Sequence, residues 1–254
     1  MSSYLPKIVM ITGSTGGFGM AFTHKFAAAG CKLILTSRTQ DKLDKLAGKL
    51  RVPVHKIILD VRDRKEIEQA FAALPAAFRD IDLLINNAGG AFGMEPAFDA
   101  KLDDWQEMIE LNNLGLVVCT RLALEGMVKR KKGHIINIGS VSGSYPYPGG
   151  HVYCAVKAFV KQFSLALRCD LISTNVRVTN IEPGMAETGF SVQRFRGDKA
   201  EAAKIYENAN PMTAEDVAEA VFYAATQPQH VNINRIELMP TTQAAAGLAV
   251  HRKA

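Results

Sequence analysis

Seven short apolar, β-branched runs recur along this chain, at residues 8–11, 32–36, 56–59, 83–85, 135–138, 176–181 and 235–239. The segments between them carry helical spacing and are too long for hairpins, so each run must return through a crossover. Right-handed crossovers of that length give a mostly parallel sheet with helices on both faces. The predicted fold is therefore doubly wound α/β with seven strands. Two helical patterns stand out, 103–129 and 152–171, because their apolar residues wrap more than one face. Val152, Val156, Phe159, Phe163 and Leu167 form one stripe of the second; Val160 and Leu171 lie off it, which fits either deep burial or a subunit interface.

A length of 254 residues with 48% hydrophobic content suffices for one large core and is short for two, so residues 1–254 are expected to form a single domain. The first ten residues show no leader pattern, and no apolar run approaches the roughly 18 residues that cross a bilayer. A cytoplasmic protein without membrane contact is the expectation. Cys31, Cys119, Cys154 and Cys169 are scattered without ligand spacing, so they read as reduced thiols. His24, His55, His134 and His230 likewise show no metal spacing, and no metal is expected. The net charge of +5 includes a basic run at 129–132. That run falls where a helix should end, a position that favours cations, and no aromatic-rich or helix-turn-helix signature accompanies it. Nucleic acid is therefore not expected as a partner, whereas an anionic cofactor and substrate suit the charge.

Directly after the first run comes Thr12-Gly13-Ser14-Thr15-Gly16-Gly17-Phe18-Gly19, then a helical pattern. Glycines between a strand and a helix permit a tight turn, close approach to a pyrophosphate, and close packing of helix on strand, while the helix N-terminus offers free N–H groups to the anion. The spacing T-G-x-x-x-G-x-G resembles the short-chain dehydrogenase/reductase family, which implies a Rossmann fold. Asp60-Val61 resembles the family's adenine-contacting pair, Asn86-Asn87-Ala88-Gly89 its cofactor-side motif, and Pro183-Gly184 its P-G. By that resemblance the cofactor contacts are Gly13, Ser14, Thr15, Gly17, Phe18, Gly19, Ser37, Arg38, Asp60, Val61, Asn87, Ala88, Gly89, Tyr153, Lys157, Pro183, Gly184 and Thr188.

The second run ends in Thr36-Ser37-Arg38, where NAD enzymes of this architecture place an acid for the ribose 2′-hydroxyl. No acid is present, and an arginine there can pair with a 2′-phosphate. NADP(H) is therefore expected over NAD(H).

Tyr153 and Lys157 are four residues apart in a helical segment, so they share a face. A free phenol has a pKa near 10 and needs its phenolate stabilised to act as a base, which a nearby ammonium and the cofactor's nicotinamide charge would do. Ser140 precedes Tyr153 at the end of the fifth run, where open α/β sheets place ligands. Ser142 and Ser144 compete for its role on position alone, and the family's Ser-to-Tyr spacing selects Ser140. Asn112 is similar to the family's helix asparagine, whose main chain holds a water in a proton relay, with Asn113 as the alternative. The resemblance thus implies Ser140, Tyr153, Lys157 and Asn112 as the catalytic set. Y-x-x-x-K alone is common by chance; here it is one of several matches in order.

Gly93-Met94-Glu95-Pro96, the stretch from His134 to Ser140, Asn232-Ile233-Asn234 and Val250-His251-Arg252 resemble the subgroup of NADP-dependent 3-hydroxy acid dehydrogenases and sulfoacetaldehyde reductases. This implies a short anionic aldehyde or hydroxy acid as substrate and a homotetramer. Ser140, Tyr145, Tyr153 and Arg194 are the expected substrate contacts, with Arg196, His251 and Arg252 as further donors. A substrate loop is expected at about 185–210, and the tail at 241–254 is expected to reach a neighbouring subunit's site. Met185-Ala186-Glu187-Thr188 departs from the glycine-rich stretch usual in the subgroup, which leaves the carboxylate assignment open. The alternative is a non-catalytic NADPH sensor or scaffold, which would predict a broken Ser, Tyr or Lys; a sugar-nucleotide epimerase would need more chain after the sixth run.

Overall fold

The computed structural model describes residues 4–245. Strands and helices alternate along the chain: β1 (Ile8–Ile11), α1 (Gly17–Ala28), β2 (Lys32–Ser37), α2 (Gln40–Ala47), β3 (Val54–Ile58), α3 (Arg64–Ala72), β4 (Leu83–Asn86), α4 (Leu102–Ile109), α5 (Gly115–Lys129), β5 (Gly133–Ile138), α6 (His151–Asp170), β6 (Val176–Pro183), α7 (Phe190–Arg194), α8 (Lys199–Lys204), α9 (Ala214–Ala225) and β7 (Arg235–Leu238). The strands form one sheet in the order β3-β2-β1-β4-β5-β6-β7, and every pairing is parallel. Strand order reverses between β1 and β4, which opens a crevice beyond their C-terminal ends, the usual ligand position in such sheets.

Alternation along the strands divides the core in two. Val9, Ile11, Leu33 and Leu35 face Phe22 and Phe26 of α1 and Val217 and Val221 of α9. Ile8, Met10, Ile34 and Leu84 face Met108 of α4, Cys119 of α5 and Val156 of α6. Most of these side chains are wholly removed from water, each such burial stabilising by about 1.5–3 kcal/mol. Val160 and Leu171, left between two explanations by the sequence, are both buried within the chain itself. No described helix is long and apolar enough to cross a membrane.

The pattern at 103–129 is interrupted. Between α4 and α5 lies a π turn, Glu110–Leu114, which widens the helix by one residue. Gly115 follows at a point where a Cβ would lie 2.6 Å from the Val61 Cβ and carbonyl oxygen, so only glycine lets α5 approach that strand end. A buried polar chain runs beneath the crevice: Asn86 donates to Thr120 Oγ1 (2.9 Å) and Asn137 Oδ1 (2.8 Å), and Asn137 donates to Ser164 Oγ (2.8 Å). It ties β4 and β5 to α5 and α6, and so fixes the helix that carries Tyr153 and Lys157.

Candidate active site

Gly13 adopts a left-handed φ of +64° with Ala88 Cα 3.1 Å from where its Cβ would be, and a Cβ on Gly19 would lie 2.3 Å from the Gly13 carbonyl oxygen. The turn can close only with glycine at both positions. Hydrogen bonds then hold it in place. Thr12 Oγ1 accepts from the Asn87 and Ala88 amides, both at 3.0 Å, and Asn87 Nδ2 donates to the Thr12 and Gly13 carbonyls at 2.9 and 3.1 Å. On the other side the Ser14 hydroxyl donates to the Thr36 carbonyl (3.0 Å), and Thr15 Oγ1 lies 2.8 Å from Ser37 Oγ.

Over this turn opens a cleft of about 1030 Å³. Of the expected cofactor contacts, Gly13, Thr15, Gly17, Phe18, Ser37, Arg38, Val61, Asn87, Ala88, Gly89, Tyr153, Lys157, Pro183, Gly184 and Thr188 line it. Three do not. Ser14 is fully buried with its hydroxyl turned to β2, Gly19 serves helix packing, and the Asp60 carboxylate is forked by Arg62 at 2.6–3.1 Å. That fork, with smaller contributions that include Arg38, holds the Asp60 carboxyl below its ordinary range. Lys42 lines the cleft beside Arg38; it lies four residues on, a spacing that could have drawn it into the sequence reading.

At the far end Ser140, Tyr153 and Lys157 converge, all buried. Ser140 caps the turn after β5: its Oγ accepts from the Ser142 amide (3.1 Å) and lies 3.4 Å from the Pro183 carbonyl. Lys157 Nζ donates to the Ile138 carbonyl at 3.0 Å and sits 5.7 Å from the Tyr153 ring centroid. Burial lowers the Lys157 ammonium to a pKa of about 8. Burial also pushes the Tyr153 phenol well above its ordinary value, opposed first by the Arg194 guanidinium and then by a hydrogen bond with Ser140. In the protein alone the strongest cation acting on the phenol is thus Arg194, where the sequence pointed to Lys157.

Asn112 sits in the π turn beneath Gly89 and Gly90: its Nδ2 donates to the Gly90 and Met108 carbonyls, both at 2.8 Å, and its Oδ1 accepts from the Gly90 amide at 3.3 Å. Tyr145 lies outside the main cleft. Its hydroxyl meets Glu237 Oε1 at 3.1 Å, in a smaller neighbouring pocket, while Tyr147 lines the main cleft. Arg194 does enter the cleft. Its Nη2 donates to Tyr147 OH at 2.7 Å, its Cζ lies 5.0 Å from the ring centroids of both Tyr153 and Phe190, and its Nε is buried without a partner. Arg196 also lines the cleft, but its guanidinium pairs with Asp104. Gln243 extends toward the cleft from the tail and accepts from the Met185 amide at 2.7 Å; His251, Arg252 and the rest of the expected tail contact lie outside the described residues.

A glycine turn at the strand-order reversal, with a serine, a tyrosine and a lysine at the opposite end of one cleft, defines a dinucleotide-dependent oxidoreductase. The chain belongs to the short chain dehydrogenase family, whose profile matches residues 7–199. It is 54% identical over 246 residues to the NADP-dependent 3-hydroxy acid dehydrogenase YdfG of Salmonella typhi, covering 96% of this chain and 99% of that one. It is 51% identical over 251 residues to sulfoacetaldehyde reductase 2 of Chromohalobacter salexigens, covering 98% and 100%. A solved structure described as the closed form of serine dehydrogenase complexed with NADP+ superposes with a TM-score of 0.94 at 53% identity, covering 97% of this chain and all of that one.

Proposed function

We propose that this protein reduces a short anionic aldehyde with NADPH, of the malonic semialdehyde or sulfoacetaldehyde type, and runs the reverse oxidation of the hydroxy acid or hydroxysulfonate. The carrying observation is Arg194: a guanidinium 5.0 Å from the Tyr153 ring, with a buried Nε lacking a partner and no carboxylate paired to it among the described residues. A cation held beside a reacting group in that way is matched to an anion on the substrate.

The residues present fit the dinucleotide. A Cβ on Gly17 would lie 2.7 Å from Thr188 Cβ, so the turn and the segment after Pro183-Gly184 close on a space kept free of side chain. Arg38 and Lys42 place two cations at the β2 end of the cleft, where a 2′-phosphate needs them. The cofactor is NADP(H), and the named activities of relatives more than half identical agree. Arg38→Ala is expected to raise the Michaelis constant for NADPH roughly ten- to hundred-fold, the worth of a hydrogen bond to a charged group, while leaving that for NADH nearly unchanged; steady-state kinetics with both cofactors check this.

When bound, NADP(H) supplies or accepts the hydride at the carbonyl carbon. Tyr153 donates its phenolic proton to the carbonyl oxygen as the alcohol forms, so hydride and proton together complete the reduction. The Ser140 hydroxyl, held by the Ser142 amide, orients that oxygen. Lys157, fixed on the Ile138 carbonyl, keeps an ammonium near the phenol for the moment it becomes phenolate. Arg194 anchors the carboxylate or sulfonate.

Specificity constants for malonic semialdehyde, sulfoacetaldehyde and a neutral aldehyde of similar size test the substrate class. Arg194→Met is expected to lower the anionic values roughly a hundred-fold and the neutral one far less. Equal losses on all three would remove the anion assignment.

A further inference from the structure

Arg196 carries the same charge as Arg194 two residues away, yet it is used differently. Its guanidinium forms an ion pair with Asp104, in the first turn of α4, and lies 5.2 Å from the Phe92 ring centroid. The Asp104 side chain is only 9% exposed, and its buried Oδ1 has no hydrogen bond, so the neighbouring guanidinium charge is what offsets it. A carboxylate so far out of water costs several kcal/mol unless it is paired. Helix α4 does not require it there, because the adjacent Asp103 already offers negative charge to the same helix N-terminus from the exposed side. The backbone fixes where Arg196 stands: it takes a left-handed φ of +50° in the cap that ends α7, with its amide donating to the Gln193 carbonyl at 3.0 Å and the Gly197 amide to the Val192 carbonyl at 2.8 Å.

The pair closes a seam. The Gly93 amide donates to the Arg194 carbonyl at 3.1 Å, and Gly90 lies so near Gln193 that a Cβ would be 2.4 Å from Nε2. Helix α7 has five residues, too few to hold its own geometry without tertiary support. Its last residue is Arg194, whose long side chain reaches three aromatic rings only if its backbone is fixed.

We infer that Asp104 and Arg196 are positioning residues, whose ion pair clamps the 190–197 segment to α4 and to Phe92 and Gly93 and thereby sets Arg194 against the substrate anion. This rests on the reading of Arg194 as the anion anchor.

The test uses Asp104→Asn, Arg196→Met, Arg196→Lys, Arg194→Met and the Asp104→Asn/Arg194→Met double variant, assayed on sulfoacetaldehyde and on a neutral aldehyde of similar size. Amide hydrogen exchange over 90–97 and 190–197 is followed in parallel. Asp104→Asn and Arg196→Met are expected to raise the Michaelis constant for sulfoacetaldehyde roughly ten-fold, below the hundred-fold that about 1 Å of misplacement can cost. They should leave kcat and the NADPH constant near the parent values and speed exchange in both segments. Arg196→Lys should keep most of the parent behaviour, and the double variant should be no worse than Arg194→Met alone. Unchanged exchange, equal losses on both aldehydes, or additive losses in the double variant would overturn the clamp. If Arg194→Met alone spares the preference for the anion, the anchor reading fails, and exchange still decides whether the clamp exists.

Discussion

Tyr153→Phe is expected to reduce kcat roughly 10²- to 10⁴-fold, the usual worth of a positioned general acid, with NADPH binding nearly intact. The substitution removes one oxygen and leaves the ring, which packs against Phe190 at a centroid distance of 5.6 Å with the Arg194 guanidinium over its face. Stability should therefore move little. Burial raises the phenol above its free value, so it stays protonated through neutral pH, as a proton donor in reduction must. The reverse oxidation needs the phenolate, and its rate should climb as pH rises. Fluorescence titration with NADPH beside single-turnover reduction separates loss of chemistry from loss of binding. Retention of most of the turnover would take the proton-donor role away from Tyr153.

Lys157→Met is expected to give an opposite pair of effects: turnover falls by a factor of similar size, yet the protein without cofactor becomes slightly more stable at pH 7. Lys157 is 7% exposed, and burial lowers its ammonium from 10.5 to about 8. Its folded-state value is below its unfolded one, so the unfolded chain binds more protons between those two pH values. The parent's stability therefore rises with pH across that window, and the full cost is felt below pH 8. At about 1.4 kcal/mol per tenfold change in proton affinity, that cost is on the order of 3 kcal/mol. The charge-assisted hydrogen bond to the Ile138 carbonyl, lost with the ammonium, offsets about 1.5–3 kcal/mol of that, so the net gain at pH 7 is small. Denaturant unfolding of parent and variant should show the variant ahead at pH 7 and the gap closing toward pH 10. A variant less stable than the parent at pH 7 would show that the ammonium is well accommodated, and that its cost had been misassigned.

The two substitutions bear on different links. Tyr153→Phe asks whether the phenol does the chemistry. Lys157→Met asks whether the fold tolerates a destabilising buried charge because the chemistry needs one, as functional sites often do.

The seven strands, their parallel arrangement and the glycine turn at Gly13 and Gly19 were all legible in the amino-acid order. Each depends on local periodicity or on backbone conformations open to one residue type. The same holds for the placement of Ser140, Tyr153 and Lys157, because a strand end and a four-residue helical spacing set them. Other features were closed to such a reading. The π turn at Glu110–Leu114 adds one residue to a helical turn without any compositional mark. Whether Tyr145 or Tyr147 faced the cleft turned on a partner 92 residues from the first and one 47 residues from the second. Arg194 and Arg196 look alike in the chain, and only the burial of Asp104 separates their tasks. Even the acidity of Tyr153 depended on how deeply its hydroxyl sits and on a guanidinium from a distant segment. Periodicity and backbone stereochemistry act between near neighbours and can be read from their order; desolvation and charge pairing act through space, between groups that become neighbours only when the chain has folded.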